Sequence, residues 1–152
     1  MAKISLGKKV ANFTLTDKDG TAVSLQSFKG KRKVIYFYPK DDTPGCTIEA
    51  KEFSEALPKF KRKKTVVIGI SGGTDKTKKK FCDKYKLSHV LLTDPDFLVA
   101  QSFDSYGKKK FMGREYMGIF RKTFVLDEND KLVAVFDDVT PKGHAEEVLK
   151  SL

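Results

Sequence analysis

Tryptophan is absent, and the 152 residues hold only two cysteines, two histidines and five prolines. Each scarcity excludes something. Two cysteines in a chain of this size make no disulfide framework, so a reducing compartment, the cytoplasm, is expected. There a cysteine is either buried filler or a working group. No CxxC pair occurs, which removes the plain dithiol reading. No HExxH and no clustered Cys/His/Asp set supplies metal ligands, so neither metal nor cofactor is expected. No apolar run approaches the roughly 20 residues that span a bilayer. The beginning, Met1 to Gly7, lacks the long apolar segment of a secretory signal. His89 and His144 have no partner legible nearby and read as polar ends of core elements.

What the chain has in plenty is phenylalanine and base. Twelve phenylalanines and five tyrosines suit a folded core, and the length suits one domain over residues 1–152. The formal charge of +10 raises the question of nucleic acid. Its lysines and arginines, however, come in short blocks at 31–33, 61–64, 78–80 and 108–110, without interleaved aromatics at a motif spacing. They read as solvated faces, with no specific nucleic-acid site.

No repeat, low-complexity segment or Pro/Gly/Ser linker divides the chain. Short alternating stretches at 13–15 and 22–25, around Asp17-Lys18-Asp19-Gly20, predict an amino-terminal hairpin. The apolar runs at 33–39, 65–71 and 90–94 predict buried strands. Ala50, Phe53, Leu57 and Phe60 recur at spacings of three and four, so a helix ends near Phe60. Residues 75–85 form a basic helix with Phe81, Cys82 and Tyr85 on one side. Asp94-Pro95 has the chemistry of an N-cap and first helical residue, and Thr140-Pro141 opens a closing helix bearing Val148, Leu149 and Leu152. Residues 122–138 predict an antiparallel hairpin. The order specifies an α/β domain, a mixed central sheet with helices on both faces.

The segment Pro39-Lys-Asp-Asp-Thr-Pro-Gly-Cys46 carries the chemistry. Pro44 disfavours helical geometry at Thr43, and Gly45 permits a sharp turn, so the helix is expected to start at about Cys46 or Thr47. Cys46 continues the stripe of Ala50 and Phe53 and so faces the protein from the first turn. The positive end of the helix dipole favours a thiolate there by about 0.3–2 kcal/mol. Lowering a thiol pKa from about 8.5 to about 6 needs roughly 3.4 kcal/mol, so the helix falls short and a cation must help.

The stretch Phe37-Tyr-Pro-Lys-Asp-Asp-Thr-Pro-Gly-Cys46-Thr-Ile-Glu-Ala-Lys-Glu-Phe53 resembles the active-site segment of peroxiredoxins. The branch resembled is that of the bacterioferritin comigratory protein, or peroxiredoxin Q. Further likeness runs through "FTLTDKDG", "KYKLSHVLLTDPD", "YMGIFRKTFVLDEND" and "HAEEVLKSL", so it covers nearly the whole chain. The resemblance implies a thioredoxin-like fold and a thiol peroxidase reducing hydrogen peroxide and organic hydroperoxides. It makes Cys46 the peroxidatic nucleophile and Arg121 the missing cation. Thr43 would offer its hydroxyl to the peroxide, and the Gly45 and Cys46 amides would donate to its oxygens. Pro39 would shield the thiolate, and Glu49 would orient arginine.

Ionising a thiol fully at pH 7 raises its thiolate fraction only about 30-fold, so most of a large acceleration must come from aligning and stabilising the peroxide. Many members of the branch place a second cysteine five residues after the first; here that residue is Lys51. Cys82 on the next helix matches an alternative arrangement of resolving cysteine, whereas by itself it reads as a small buried apolar residue. The resemblance implies recycling by thioredoxin or a similar thiol reductant, and a monomer. A redox sensor using the same thiol, or a basic nucleic-acid binder on this scaffold, are the competing classes; sustained turnover with a thiol donor separates the first from an enzyme, and salt-dependent binding tests the second.

Overall fold

In the computed structural model, which describes residues 4–152, the chain runs β1 (Thr14–Asp17), β2 (Ala22–Ser24), a 3₁₀ turn (Leu25–Phe28), β3 (Arg32–Phe37) and α1 (Pro44–Arg62). There follow β4 (Thr65–Ser71), α2 (Asp75–Tyr85), β5 (Val90–Thr93), α3 (Leu98–Ser102), β6 (Tyr106–Phe111), β7 (Arg114–Ile119), β8 (Lys122–Leu126), β9 (Leu132–Phe136) and α4 (His144–Ser151). The three apolar runs became β3, β4 and β5, parallel neighbours at the centre of a seven-stranded sheet ordered β2-β1-β5-β4-β3-β8-β9. Parallel neighbours need long crossovers, and α1 and α2 supply them. The two hairpins flank this centre, β1 antiparallel to β5 and β8 antiparallel to β3.

Alternation along β3 divides the core between two faces. Val34, Tyr36 and Tyr38 pack with Cys46, Phe53, Phe60, Phe81 and Val148, beneath α1, α2 and α4. Ile35 and Phe37 pack on the other face with Leu25, Val99, Phe103 and Phe124. The stripe predicted on α1 is buried throughout, from Cys46 through Ala50, Phe53 and Leu57 to Phe60. Truncating Phe53, stacked on Tyr36 at 4.6 Å, would cost about 3–5 kcal/mol.

Several local expectations are corrected. The helix carrying the thiol begins at Pro44, with Thr43 as N-cap, because proline's missing N–H costs nothing at the first position. Gly45 lies inside that helix without a positive φ, so it makes no sharp turn. Asp94-Pro95 does not open a helix; the chain turns through Phe97 at φ 58° into α3. Asp94 still caps α3 from afar, its carboxylate accepting from the Ala100 amide at 2.9 Å. Thr140-Pro141 belongs to a turn, and α4 starts after Gly143 at φ 83°. Leu25 begins the 3₁₀ turn instead of ending the hairpin strand.

The β6–β7 hairpin was not legible in the sequence. Its strands pair with each other alone, and only the Tyr106–Ile119 end packs on the core while Phe111, Met112, Tyr116 and Met117 stay exposed, so no buried face runs along the ribbon to impose alternation. Two of the basic blocks also contain a buried member. Lys33 is sealed against Asp130 and Lys78 against Asp41, while their block neighbours Lys31, Lys79 and Lys80 are exposed.

Candidate active site

The end of β3 sets the site. Tyr38 extends the strand by one bond, its N–H donating to the Ile70 carbonyl at 3.2 Å, and Pro39 then ends the ladder by lacking a donor. The chain reverses through Asp42, held at φ 56°, a left-handed conformation that aspartate tolerates better than most side chains. The Thr43 hydroxyl donates to the Lys40 carbonyl at 3.1 Å and closes this turn. The first intrahelical bond joins the Thr47 N–H to the Thr43 carbonyl at 2.8 Å. The Gly45 and Cys46 amides precede it, in the turn where no carbonyl four residues back is available.

Cys46 is buried, 1% exposed, at the third helical position. Its sulfur accepts from Arg121 Nη2 at 3.3 Å. The other arm of the same fork, Nη1, donates to Glu49 Oε1 at 2.7 Å. Cys46 and Glu49 are three residues apart and share a helix face, so one planar guanidinium spans both. Strand register delivers Arg121 to this place. β3 and β8 pair Phe37 with Lys122, and one further step sets Arg121 beside Tyr38, where β3 leads toward α1. Burial alone would lower the pKa of Arg121, but the anions of Cys46 and Glu49 outweigh it and raise the value. Burial pushes Glu49 up to about 7 against the pull of Arg121, and Glu49 Oε2 is buried without a hydrogen-bond partner.

Gly45 has a spatial reason in place of the conformational one. A Cβ there would lie 3.3 Å from Arg121 Nη2 and 3.4 Å from Pro141 Cγ. Pro141, from the turn before α4, thus closes on the first turn of α1 on the same side as the guanidinium. No local spacing signals this approach, which joins residues nearly a hundred positions apart; Pro141 lies in the turn before α4 and not at the helix start expected for it. Pro39 is half-buried between buried Tyr38 and exposed Lys40.

The structure brings Cys46, Glu49, Gly45 and Arg121 together, with Thr43 at the N-cap position of the same helix, its hydroxyl turned back to Lys40. Cys82 lies on α2, also buried and free, in the same core cluster as Cys46. Burial, with Asp41 and Asp83, pushes its thiol pKa up against the nearby cations Lys18 and Lys78. The histidines stand apart from the thiol and do have partners: His89 bonds Tyr36 and Ser54, and His144 bonds Thr123 and Glu147. A larger cleft, about 800 Å³ and lined by Phe28, Leu57, Lys61, Lys64 and His89, opens at the opposite end of the parallel strands. Cys46 does not line it.

A mixed sheet of this order, with a thiol in the first turn of the helix after one of its central parallel strands, defines the thioredoxin-like class of thiol proteins. Residues 6–135 match the AhpC/TSA family. The chain is 41% identical over 152 residues to a putative peroxiredoxin bcp of Helicobacter pylori J99, covering all of both chains. It is 40% identical over 154 residues to the peroxiredoxin Bcp of Escherichia coli K12, covering 100% of this chain and 97% of the other. Among solved structures, a PrxQ cysteine mutant from Xylella fastidiosa superposes with a TM-score of 0.92 at 31% identity, covering 99% and 96% of the two chains. The bacterioferritin comigratory protein of Xanthomonas campestris, studied for alkyl peroxide reduction, gives 0.86 at 34% identity, covering 91% and 88%. The chain therefore belongs to the AhpC/TSA family, in its bacterioferritin comigratory protein or peroxiredoxin Q branch, and is an enzyme of the thiol peroxidase class. No helix among the described residues is long and apolar enough to cross a membrane.

Proposed function

We propose that the chain reduces hydrogen peroxide and organic hydroperoxides through Cys46, is resolved by Cys82, and is recycled by thioredoxin or a similar dithiol. The observation that carries this reading is the Arg121 fork, 3.3 Å from the Cys46 sulfur and 2.7 Å from Glu49. A cation fixed there touches the sulfur and faces the place where a peroxide must approach it.

The Cys46 thiolate attacks one peroxide oxygen, and the O–O bond breaks. The departing alkoxide or hydroxide takes up a proton, leaving Cys46 as the sulfenic acid. Arg121 and the first-turn amides of Gly45 and Cys46 stabilise negative charge on the oxygens, and the Thr43 hydroxyl holds the peroxide in line. Pro39 screens the thiolate from water, and Glu49 holds Arg121 in place. Cys82, as thiolate, then attacks the Cys46 sulfur. The S–S bond forms, the S–O bond breaks, and hydroxide leaves as water with the proton Cys82 shed. A dithiol donor reduces the disulfide and restores both thiols.

Both thiols sit in packed helices, so resolution requires the first turn of α1, the Lys78–Tyr85 segment of α2, or both to open. We assign the enzyme to the cytoplasm, as a monomeric single domain, since this cycle depends on a reducing thiol pool. Steady peroxide consumption with thioredoxin, thioredoxin reductase and NADPH tests the reading. Wild type should turn over, Cys46→Ser should be inactive though folded, and Cys82→Ser should reduce one equivalent and stall. Wild-type rates in Cys46→Ser would remove the nucleophile assignment.

A further inference from the structure

The pair Asp41-Asp42, between Pro39 and the thiol, turns both carboxylates onto α2. Asp41 accepts from the Tyr38 hydroxyl at 2.6 Å, the Thr77 hydroxyl at 2.8 Å and the Lys78 ammonium at 3.2 Å. Lys78 is wholly buried and also donates to Ser71 Oγ at 2.8 Å and the Gly72 carbonyl at 2.6 Å. All three of its protons are placed, so it is locked to the ends of β4 and of the loop alike. Asp42 accepts from the Tyr85 hydroxyl at 2.7 Å and from Lys84 at 2.9 Å. Lys78 lies four residues before Cys82 and Tyr85 three residues after it, so the two aspartates hold α2 on either side of the second thiol.

We propose that Asp41 and Asp42 form a latch between the peroxidatic loop and α2, with Lys78 and Tyr85 as positioning residues that set how fast Cys82 reaches the Cys46 sulfenic acid. The proposal rests on the reading of Cys82 as the resolving cysteine. To expose Cys82, α2 must strip Asp41 of its donors from α2 and carry a buried ammonium away from the carboxylate it is paired with. A buried charge parted from its partner is costly, whereas the same helix without that charge opens more readily. The Tyr85 contact is exposed and adds a smaller increment.

The latch therefore sets the lifetime of the sulfenic acid. While it is closed, the Cys46 sulfenate sulfur can attack an oxygen of a second peroxide; the S–O bond forms as the O–O bond breaks, giving sulfinic acid and, once the leaving oxygen is protonated, an alcohol or water. When it opens, the disulfide forms first. The latch makes the enzyme sensitive to overoxidation in proportion to its strength, a property the peroxide-binding groups do not control.

The test compares wild type with Tyr85→Phe and Lys78→Met after one equivalent of hydrogen peroxide, following disulfide formation by quenched-flow mass spectrometry. Tyr85→Phe keeps ring packing and loses one exposed bond, so it guards against a variant that fails to fold. Disulfide formation should accelerate about five-fold in Tyr85→Phe and at least about ten-fold in Lys78→Met. The peroxide concentration that converts half of Cys46 to sulfinic acid should rise by the same factors, while sulfenic acid formation by the reduced enzyme stays within about two-fold. Amide exchange across Asp75–Tyr85 should quicken in both variants. A wild-type disulfide that forms at an unchanged or slower rate in Tyr85→Phe overturns the latch alone. If wild type forms no Cys46–Cys82 disulfide, the resolution reading falls and the latch falls with it.

Discussion

Alanine at Gly45 separates what the helix needs from what the thiol needs. As a helix residue without positive φ, Gly45 is replaceable, and alanine gains up to about 1 kcal/mol of propensity. Its Cβ, however, would meet Arg121 Nη2 at 3.3 Å and Pro141 Cγ at 3.4 Å. Ordinary contacts lie at about 3.5–4.0 Å, so the guanidinium must retreat by a few tenths of an ångström. Glu49 at 2.7 Å ties the other arm, so the retreat falls on the bond to sulfur. Stretching that bond from 3.3 Å to about 3.7 Å weakens the Coulomb attraction by about 0.5 kcal/mol at an effective dielectric of about 20, or two- to three-fold in rate. Misalignment of the donor with the peroxide oxygens takes the loss to about ten-fold. Stopped-flow peroxide consumption, paired with thermal unfolding, should show a slower reaction in a protein of unchanged or raised Tm. Unchanged kinetics would refute the claim that Gly45 exists to admit the guanidinium.

Arg121→Lys keeps the charge but cannot span Cys46 and Glu49 with one planar fork; peroxide reduction should fall about 100-fold even on the high-pH plateau, where thiolate fraction no longer differs. A loss confined to neutral pH would show that Arg121 acts on ionisation alone. Glu49 links stability to pH. Its folded pKa of about 7 exceeds the ordinary 4.5, so the folded state binds the proton more tightly. Its stabilising contribution is complete below about pH 4.5 and is lost as pH rises through about 7, a change of about 3 kcal/mol. Urea unfolding from pH 4.5 to 8 should show that decline in wild type and a flatter profile in Glu49→Gln; parallel profiles would remove Glu49 as its source.

The sheet was legible because each central strand is a continuous apolar run, buried on both faces, and α1 because its stripe keeps one period from Cys46 to Phe60. The β6–β7 hairpin was not, since a ribbon buried only at its Tyr106–Ile119 end leaves no periodic pattern in hydrophobicity. The thiol, its helix and Arg121 could be named from the motif and the resemblance. The contacts that refine them could not. Pro141 reaches Gly45, and Lys78 reaches Asp41, across distances in sequence that no local spacing encodes. Lys78 in particular sits within a run of lysines whose other members are exposed, and only the packing of α2 distinguishes it. The aspartate pair before Thr43 was visible, but its partners lie on another helix.

The most direct test of the account is intact mass and peptide mapping after one equivalent of hydrogen peroxide, on wild type, Cys46→Ser and Cys82→Ser. Wild type should lose two hydrogens, with a single bridge between the Cys46 and Cys82 peptides. Cys82→Ser should gain one oxygen at Cys46, trappable as a sulfenic acid, and Cys46→Ser should not change. Oxygen retained on Cys46 in wild type, without any bridge to Cys82, would contradict the mechanism.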